Sequence, residues 1–167
     1  MDAGRANRKK LKKRQQRGIK DRHGWNTLES YKQVYLTKVG GHPFVDDSHP
    51  LPEIKLISSE NGQFIKAGLE GRIYCNNNIV LEVRKHFNVR YLNNGLIKIK
   101  GVYYCYNAHI SGNSNILRYD NSHGDDDYHK HEFDLATGKE KNKINLTRHQ
   151  FPLLHEVLDE LQRMFEI

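Results

Sequence analysis

The sequence predicts an α+β fold, in which an antiparallel β-meander of about five strands is packed by a C-terminal α-helix and preceded by a basic N-terminal extension. Two patterns support this prediction. Residues 79–91 alternate apolar and polar side chains, which is typical of a strand with one buried face. Residues 151–165 place apolar side chains at helical spacing, and Pro152 suits the first turn of a helix.

The chain begins with a strongly basic arm, residues 1–24. Its ten Lys and Arg residues face only Asp2 and Asp21, whereas the rest of the chain holds 17 basic and 18 acidic residues. So polar an arm cannot bury enough surface to offset its ordering entropy, and we predict that it is disordered. Polycations displace counterions from phosphates, so RNA or another nucleic acid is the expected partner; a solvated tail is the alternative. The side chains expected to contact nucleic acid are Arg8, Lys9, Lys10, Lys12, Lys13, Arg14 and Arg17.

Residues 25–68 are predicted to form the remainder of the N-terminal extension. Apolar residues at helical spacing predict a short amphipathic helix within residues 25–39. The stretch at 40–53 is rich in Gly and Pro and is predicted to be a loop. The main α+β domain would then occupy residues 69–167.

Within that domain, turn signals separate the predicted strands. The asparagines at 76–78, the NNG at 93–95 and the SGNS at 111–114 each favour a tight turn. The predicted strands are residues 69–75, 79–91, 96–110, 115–121 and 128–134. Lys85 alone departs from the apolar face of the second strand.

Several absences in the sequence favour a cytoplasmic protein without a membrane partner. The N-terminus lacks the apolar segment of a signal peptide, and no apolar run reaches the roughly 20 residues that span a bilayer. Cys75 and Cys105 form no CxxC motif, as expected of reduced thiols, although a disulfide between neighbouring strands stays open. We predict no bound cofactor.

Residues 118–132, RYDNSHGDDDYHKHE, concentrate titratable side chains between two predicted strands. Because alternate residues of a strand share a face, His129 and His131 lie on one face of their strand. Arg118 and Asp120 likewise share a face of the preceding strand, opposite Tyr119. If the two strands pair, the histidines meet Arg118 and Asp120, and His123 lies at the rim.

The first interpretation of this cluster is metal-free cleavage of RNA through its own 2′-hydroxyl. That reaction needs a base, an acid and a cation near the phosphate, and histidine titrates near neutral pH. Arg118 would bind the phosphate, and Asp120 would orient a histidine. The candidate catalytic residues are His129, His131, Asp120, Arg118, Tyr119 and His123.

Two other interpretations stay open. The same histidines with Asp120 supply the ligands of a metal site, because an HxH pair on one strand is a common start for one. Alternatively, the segment is a polar hairpin with exposed histidines. Residues 125–127, three consecutive aspartates, are predicted to form a solvated loop that repels nucleic acid.

The RYDN motif, the downstream HxH strand and the helix FPLLHEVLDELQRMF together resemble the TumE-like toxin family and related small domains of unknown function, over roughly residues 70–166. The resemblance implies a growth-inhibiting protein that is neutralised by an antitoxin, often a helix-turn-helix protein. The positions that match the family's recurring residues are Arg118, Tyr119, Asp120, Asn121, His123, His129 and His131. The basic N-terminal extension and the GDDD insertion depart from the family's pattern.

Together these observations predict a toxin-like protein of a toxin–antitoxin or defence system that acts on RNA, a possible ribonuclease. The alternative is a non-enzymatic RNA-binding protein or a subunit of a ribonucleoprotein complex that docks through the basic arm.

Overall fold

The computed structural model describes residues 21–62, 64–122 and 127–166. Apart from its last four residues, the predicted basic arm lies outside the described residues, and so do all seven of its nucleic-acid-binding candidates. His123 and the first two aspartates of the acidic run also lie outside them.

The described residues form an α+β fold built on one antiparallel sheet of eight strands. The strands are β1 (Asn26–Thr27), β2 (Ile54–Ser58), β3 (Phe64–Tyr74), β4 (Ile79–Tyr91), β5 (Ile97–Ile110), β6 (Asn115–Asp120), β7 (Tyr128–Phe133) and β8 (Glu140–Leu146). From β2 to β8 each strand pairs with the next along the chain, and β1 pairs with β5. The predicted α+β class is confirmed, but five strands is too few.

The additional strands are β1, β2 and β8, and each has a weak signal in the sequence. β1 has two residues, and β2 and β8 are the two edges of the sheet. Most of β8, EKNKINL, is exposed, so neither of its faces needs apolar side chains and the alternation is lost. The division predicted at residue 69 falls inside β3, and residues on both sides of it belong to the same sheet.

Two helices flank the sheet among the described residues. Helix α1 (Leu28–Val34) begins at Thr27, whose side chain accepts a hydrogen bond from the Ser30 amide, and it continues as a π-helical turn over Tyr35–Gly40. Helix α2 (Leu154–Phe165) begins after the predicted start at residue 151. No helix in the described part of the chain is long and apolar enough to cross a membrane.

The core lies between these helices and one face of the sheet. The buried residues of α2 are Leu154, Val157, Leu158 and Leu161. The apolar positions of β4 and the tyrosines Tyr104 and Tyr106 of β5 are buried in the same core. The opposite face of the sheet carries the polar residues of the alternating pattern and contains the candidate site.

Lys85, the exception on the apolar face of β4, is buried in this core. Its Nζ lies 3.0 Å from the hydroxyl oxygen of Tyr31 and about 5 Å from the ring centroids of Tyr31, Phe87 and Tyr104. Burial, assisted by the positive charge of Arg148, lowers the pKa of Lys85 to about 7. Helix α1 therefore closes the core over a lysine that titrates near neutral pH.

Candidate functional site

Strands β6 and β7 bring the predicted residues together. They pair antiparallel with Arg118 opposite His131 and Asp120 opposite His129. Residues opposite each other in a ladder project from the same face of the sheet. The four side chains therefore meet on the open face, as expected if the two strands pair.

Asp120 is the centre of this cluster. Its Oδ2 accepts a hydrogen bond from Nε of Arg118 at 2.8 Å, and its Oδ1 lies 2.7 Å from Nε2 of His129. The hydroxyl of Ser122 donates to Oδ1 at 2.9 Å. Burial would raise the pKa of Asp120, but the hydrogen bonds from Ser122 and the charges of His129 and Arg118 hold it below its ordinary value. The cluster is thus organised around a buried carboxylate.

His131 is contacted at both ring nitrogens. Its Nδ1 contacts the carboxylate of Glu140, and its Nε2 lies 3.1 Å from Nη2 of Arg118 and 3.4 Å from Oδ2 of Asp120. A guanidinium can only donate hydrogen bonds, so Nε2 accepts from Arg118. The tautomer with the proton on Nδ1, donated to Glu140, fits both contacts. Nε2 is then the basic atom of the ring, and it faces a cation.

His129 lies deeper than His131. Its side chain is 1% exposed, its ring packs edge-on against the ring of His131 at 4.8 Å, and its Nδ1 lies 3.8 Å from Oδ1 of Asp127. The Arg118 side chain, by contrast, is 39% exposed. A substrate on the open face therefore contacts Arg118 first. His129 is in contact with Asp120 and with the ring of His131.

Tyr119 points away from this cluster. Its hydroxyl donates a hydrogen bond to Glu160 of α2 at 2.6 Å, and the same carboxylate forms an ion pair with Lys130. Burial, with the hydrogen bond to Glu160, raises the pKa of Tyr119 well above its ordinary value. Its place on the helix side follows from the alternation along β6. Of the predicted catalytic residues, four meet, Tyr119 does not join them, and His123 lies outside the described residues.

Two residues of the cluster were not predicted. Ser122 follows Asp120 by two positions and donates to it through both its amide and its hydroxyl, an arrangement typical of an Asx-turn. A turn signal of this kind is visible in the sequence. Glu140 lies on β8, so the sequence gives no reason to pair it with His131 until that strand is known.

The open face next to the cluster is a cavity of about 500 Å³. Members of two cross-strand rows of polar side chains line it, and Asp120 ends the first row without lining the cavity. Asp120 pairs with Cys105, Cys105 with Arg84, and Arg84 with Glu70. The second row is Arg118, Asn107, Glu82 and Arg72. The cavity therefore connects Arg118 with two further arginines.

The arginines of this cavity have carboxylate neighbours. Arg72 donates to Glu82 at 3.2 Å, and Nε of Arg84 lies 3.9 Å from a carboxylate oxygen of Glu70. Such exposed ion pairs are weak, typically below about 1 kcal/mol, so a phosphate can compete for the guanidinium groups. Cys105 is a free thiol, and burial together with the nearby Asp120 raises its pKa, so it stays protonated at neutral pH.

Asp120, His129 and His131 also form a possible metal-binding group. One ligand atom from each lies within 4.8 Å of the others. Two imidazoles and a carboxylate are ligands that zinc accepts. However, the guanidinium of Arg118 approaches the Nε2 atom of His131 that would bind the ion. A divalent cation fits this group when Arg118 is displaced, because the two positive charges repel each other at such a distance.

No protein-family model, no curated protein and no solved structure matches this chain. The resemblance to the TumE-like toxins therefore stays a prediction. The function must be argued from the geometry of the cluster and the cavity beside it.

Proposed function

We propose that this protein cleaves RNA at the Arg118–Asp120–His131 cluster, without a metal ion and through the 2′-hydroxyl of the substrate. The observation that supports it most is the position of His131. Its Nδ1 contacts Glu140 while its Nε2 lies beside the guanidinium of Arg118 at 3.1 Å. A base oriented by a carboxylate and a phosphate-binding cation next to it are two of the three groups that this reaction needs.

In the proposed reaction, Arg118 binds the scissile phosphate and stabilises the negative charge that develops on its oxygens. Once Arg118 donates to the phosphate instead of to His131, Nε2 of His131 accepts the proton of the 2′-hydroxyl, and the 2′ oxygen attacks the phosphorus. The bond from phosphorus to the 5′ oxygen breaks and leaves a 2′,3′-cyclic phosphate. Solvent at the open face supplies the proton that the departing 5′ oxygen takes up. Glu140 stabilises the imidazolium formed on His131.

The burial of His129 changes the role expected for the histidine pair. The His129 side chain is 1% exposed against 8% for His131, and its Nε2 already contacts Oδ1 of Asp120, so His129 is the less suited of the two to exchange protons with a substrate. In the proposal His129 holds the carboxylate of Asp120, which in turn holds Arg118 through its Nε. His131 is the proton acceptor, and His129 and Asp120 are positioning residues.

The test is cleavage of an end-labelled RNA by the purified full chain in EDTA. We expect a 2′,3′-cyclic phosphate product, no cleavage of the same sequence with 2′-O-methyl groups, and loss of activity in His131→Ala. Lys143→Ala is the matched control, because Lys143 lies opposite His131 on β8. A His131→Ala protein that cuts at the wild-type rate, or a substrate without 2′-hydroxyls that is cut, overturns the mechanism.

The second candidate function is RNA binding without catalysis, as a ribonucleoprotein subunit. It is favoured by the three arginines of the open cavity, Arg72, Arg84 and Arg118, together with the basic N-terminal sequence. It predicts salt-sensitive RNA binding that is unchanged in His131→Ala and is lost when residues 1–24 are deleted. Binding that ignores both salt and the arm argues against it.

The biological setting is part of the same proposal. A ribonuclease of this kind would act in the cytoplasm as the toxin of a toxin–antitoxin or defence system, with a helix-turn-helix protein as its antitoxin. This setting rests on the resemblance of the RYDN and HxH motifs. Growth arrest with loss of total RNA on induction, abolished in His131→Ala, supports it, whereas normal growth with intact RNA argues against it.

A further inference from the structure

A second cavity, of about 540 Å³, adjoins the site on the open face of the sheet. Tyr103 and His86 line it with rings whose centroids are 5.0 Å apart and whose planes differ by 30°. Ala67, Gly68 and Val102 contribute an apolar floor. We infer that this cavity binds one unpaired base of a single-stranded RNA whose phosphate lies at Arg118; the inference rests on the proposed function.

The two cavities are adjacent. Glu70 lines both of them, and Arg84 and His86 are alternate residues of β4 on the same face. Arg118 lies opposite Asn107 on β5, and Tyr103 lies four residues from Asn107 along that strand, so Arg118 and Tyr103 are roughly 14 Å apart on the sheet. A short single-stranded segment can therefore place a phosphate at Arg118 and a nearby base between Tyr103 and the floor.

The groups around the second cavity suit a base. Nε2 of His86 lies 2.7 Å from Oε1 of Glu70, which fixes the ring beside Tyr103. That hydrogen bond is the largest influence lowering the pKa of Glu70, so its carboxylate is ionised and can accept a hydrogen bond from an N–H group on a base edge. Lys55 and Lys66 line the same cavity, where they can contact the flanking phosphates.

The same features disfavour other occupants. The apolar floor and the carboxylate of Glu70 oppose a phosphate group in the cavity itself. A duplex keeps its bases stacked on each other, so their faces are not available to Tyr103. A single strand exposes each base face, and stacking on aromatic side chains is how proteins commonly bind such strands.

The test measures binding, so it does not depend on catalysis. In the His131→Ala background, fluorescence anisotropy of a labelled six-nucleotide RNA gives the affinity. The stacking contribution of one base predicts that Tyr103→Ala weakens binding at least fivefold, that Tyr103→Phe retains it, and that Tyr91→Ala has no effect. In the parent protein, an abasic nucleotide at one position of the RNA should weaken binding as much as Tyr103→Ala does. In Tyr103→Ala, the same abasic nucleotide should weaken binding no further.

Two results overturn the base site. One is wild-type affinity in Tyr103→Ala when thermal unfolding shows that this variant is folded. The other, should that variant fail to fold, is an abasic scan of the parent that shows no sensitive position. Tyr103-dependent binding by a chain that does not cleave RNA leaves the base site standing and overturns only the proposed catalysis.

Discussion

Oδ1 of Asp120 lies 2.7 Å from Nε2 of His129, and neither side chain is more than 2% exposed. Truncating His129 removes this contact and leaves a cavity at a fully buried position, although Asp120 keeps its hydrogen bonds from Arg118 and Ser122. We predict that His129→Ala lowers the free energy of unfolding by about 3 kcal/mol, measured by urea denaturation. The exposed His149 is the control, and His149→Ala should change it by less than about 0.5 kcal/mol. An equal effect of the two substitutions would contradict a structural role for the pair.

Metal binding is predicted to depend on Arg118. Its guanidinium lies 3.1 Å from the Nε2 atom of His131 that would ligate an ion. Arg118→Met should therefore raise the affinity for Zn²⁺ at least tenfold, measured by calorimetry on the purified protein. Arg84→Met, which leaves the cluster intact, is the control. Tight zinc binding by the unmodified chain would instead show that Arg118 moves aside, and would contradict the metal-free mechanism.

The other face of β6 gives a different prediction. The hydroxyl of Tyr119 donates to Glu160 at 2.6 Å on the helix side of the sheet. Tyr119→Phe removes that hydrogen bond but leaves Glu160 paired with Lys130, so unfolding should become easier by about 1–2 kcal/mol. RNA cleavage per folded molecule should not change. A loss of the cleavage rate in a fully folded Tyr119→Phe protein would return Tyr119 to the catalytic residues.

Lys85 predicts how stability depends on pH above neutrality. Its pKa is lowered to about 7 in the folded protein, whereas an unfolded lysine titrates near 10.4. Between these values the unfolded chain binds a proton that the folded chain does not, so the free energy of unfolding should rise as pH rises from 7 to 10. Lys85→Met should remove this rise, and Lys141→Met on exposed β8 should keep it. Parallel urea titrations across that range provide the measurement.

His23 predicts the behaviour on the acid side. Burial lowers its pKa to about 4, despite the contact of its Nε2 with the carbonyl oxygen of Phe151 at 2.8 Å. As pH falls from about 6.5 to 4, the unfolded chain gains a proton and the folded chain does not, so stability should decrease. His23→Gln should reduce this decrease, and His149→Ala should not. Thermal unfolding in buffers across this range tests it, and a pH-independent midpoint would contradict it.

The sequence was informative where one face of a strand is buried. The alternation over residues 79–91 predicted β4 with the bounds that the structure has. The same period placed Arg118 and Asp120 opposite Tyr119 and suggested that they meet His129 and His131. The order of residues along a strand decides which side chains share a face, and this order can be read directly from the sequence.

The sequence was uninformative about contacts made by residues of exposed edge strands and about how deeply a side chain is buried. Glu140 contacts His131 from β8, whose polar residues give no strand signal. His129 and His131 are both buried, beside Asn145 and Lys143 of β8, and nothing in HKH itself predicts this burial. Tyr119 was included among the catalytic candidates because it belongs to the RYDN motif. Its position in the strand, between Arg118 and Asp120, places it on the opposite face of the sheet.

The alternation along β6 also determines how this gene segment tolerates change. Arg118 and Asp120 face the cavity, and Tyr119 faces α2, with one residue between successive positions on each face. Deleting or inserting a single codon here would exchange the two faces, bury the guanidinium against the helix and expose the tyrosine. In a library of variants, a one-residue change in the length of β6 should therefore be tolerated even less than the substitution of one of its side chains, because a substitution alters one position and a shift alters them all.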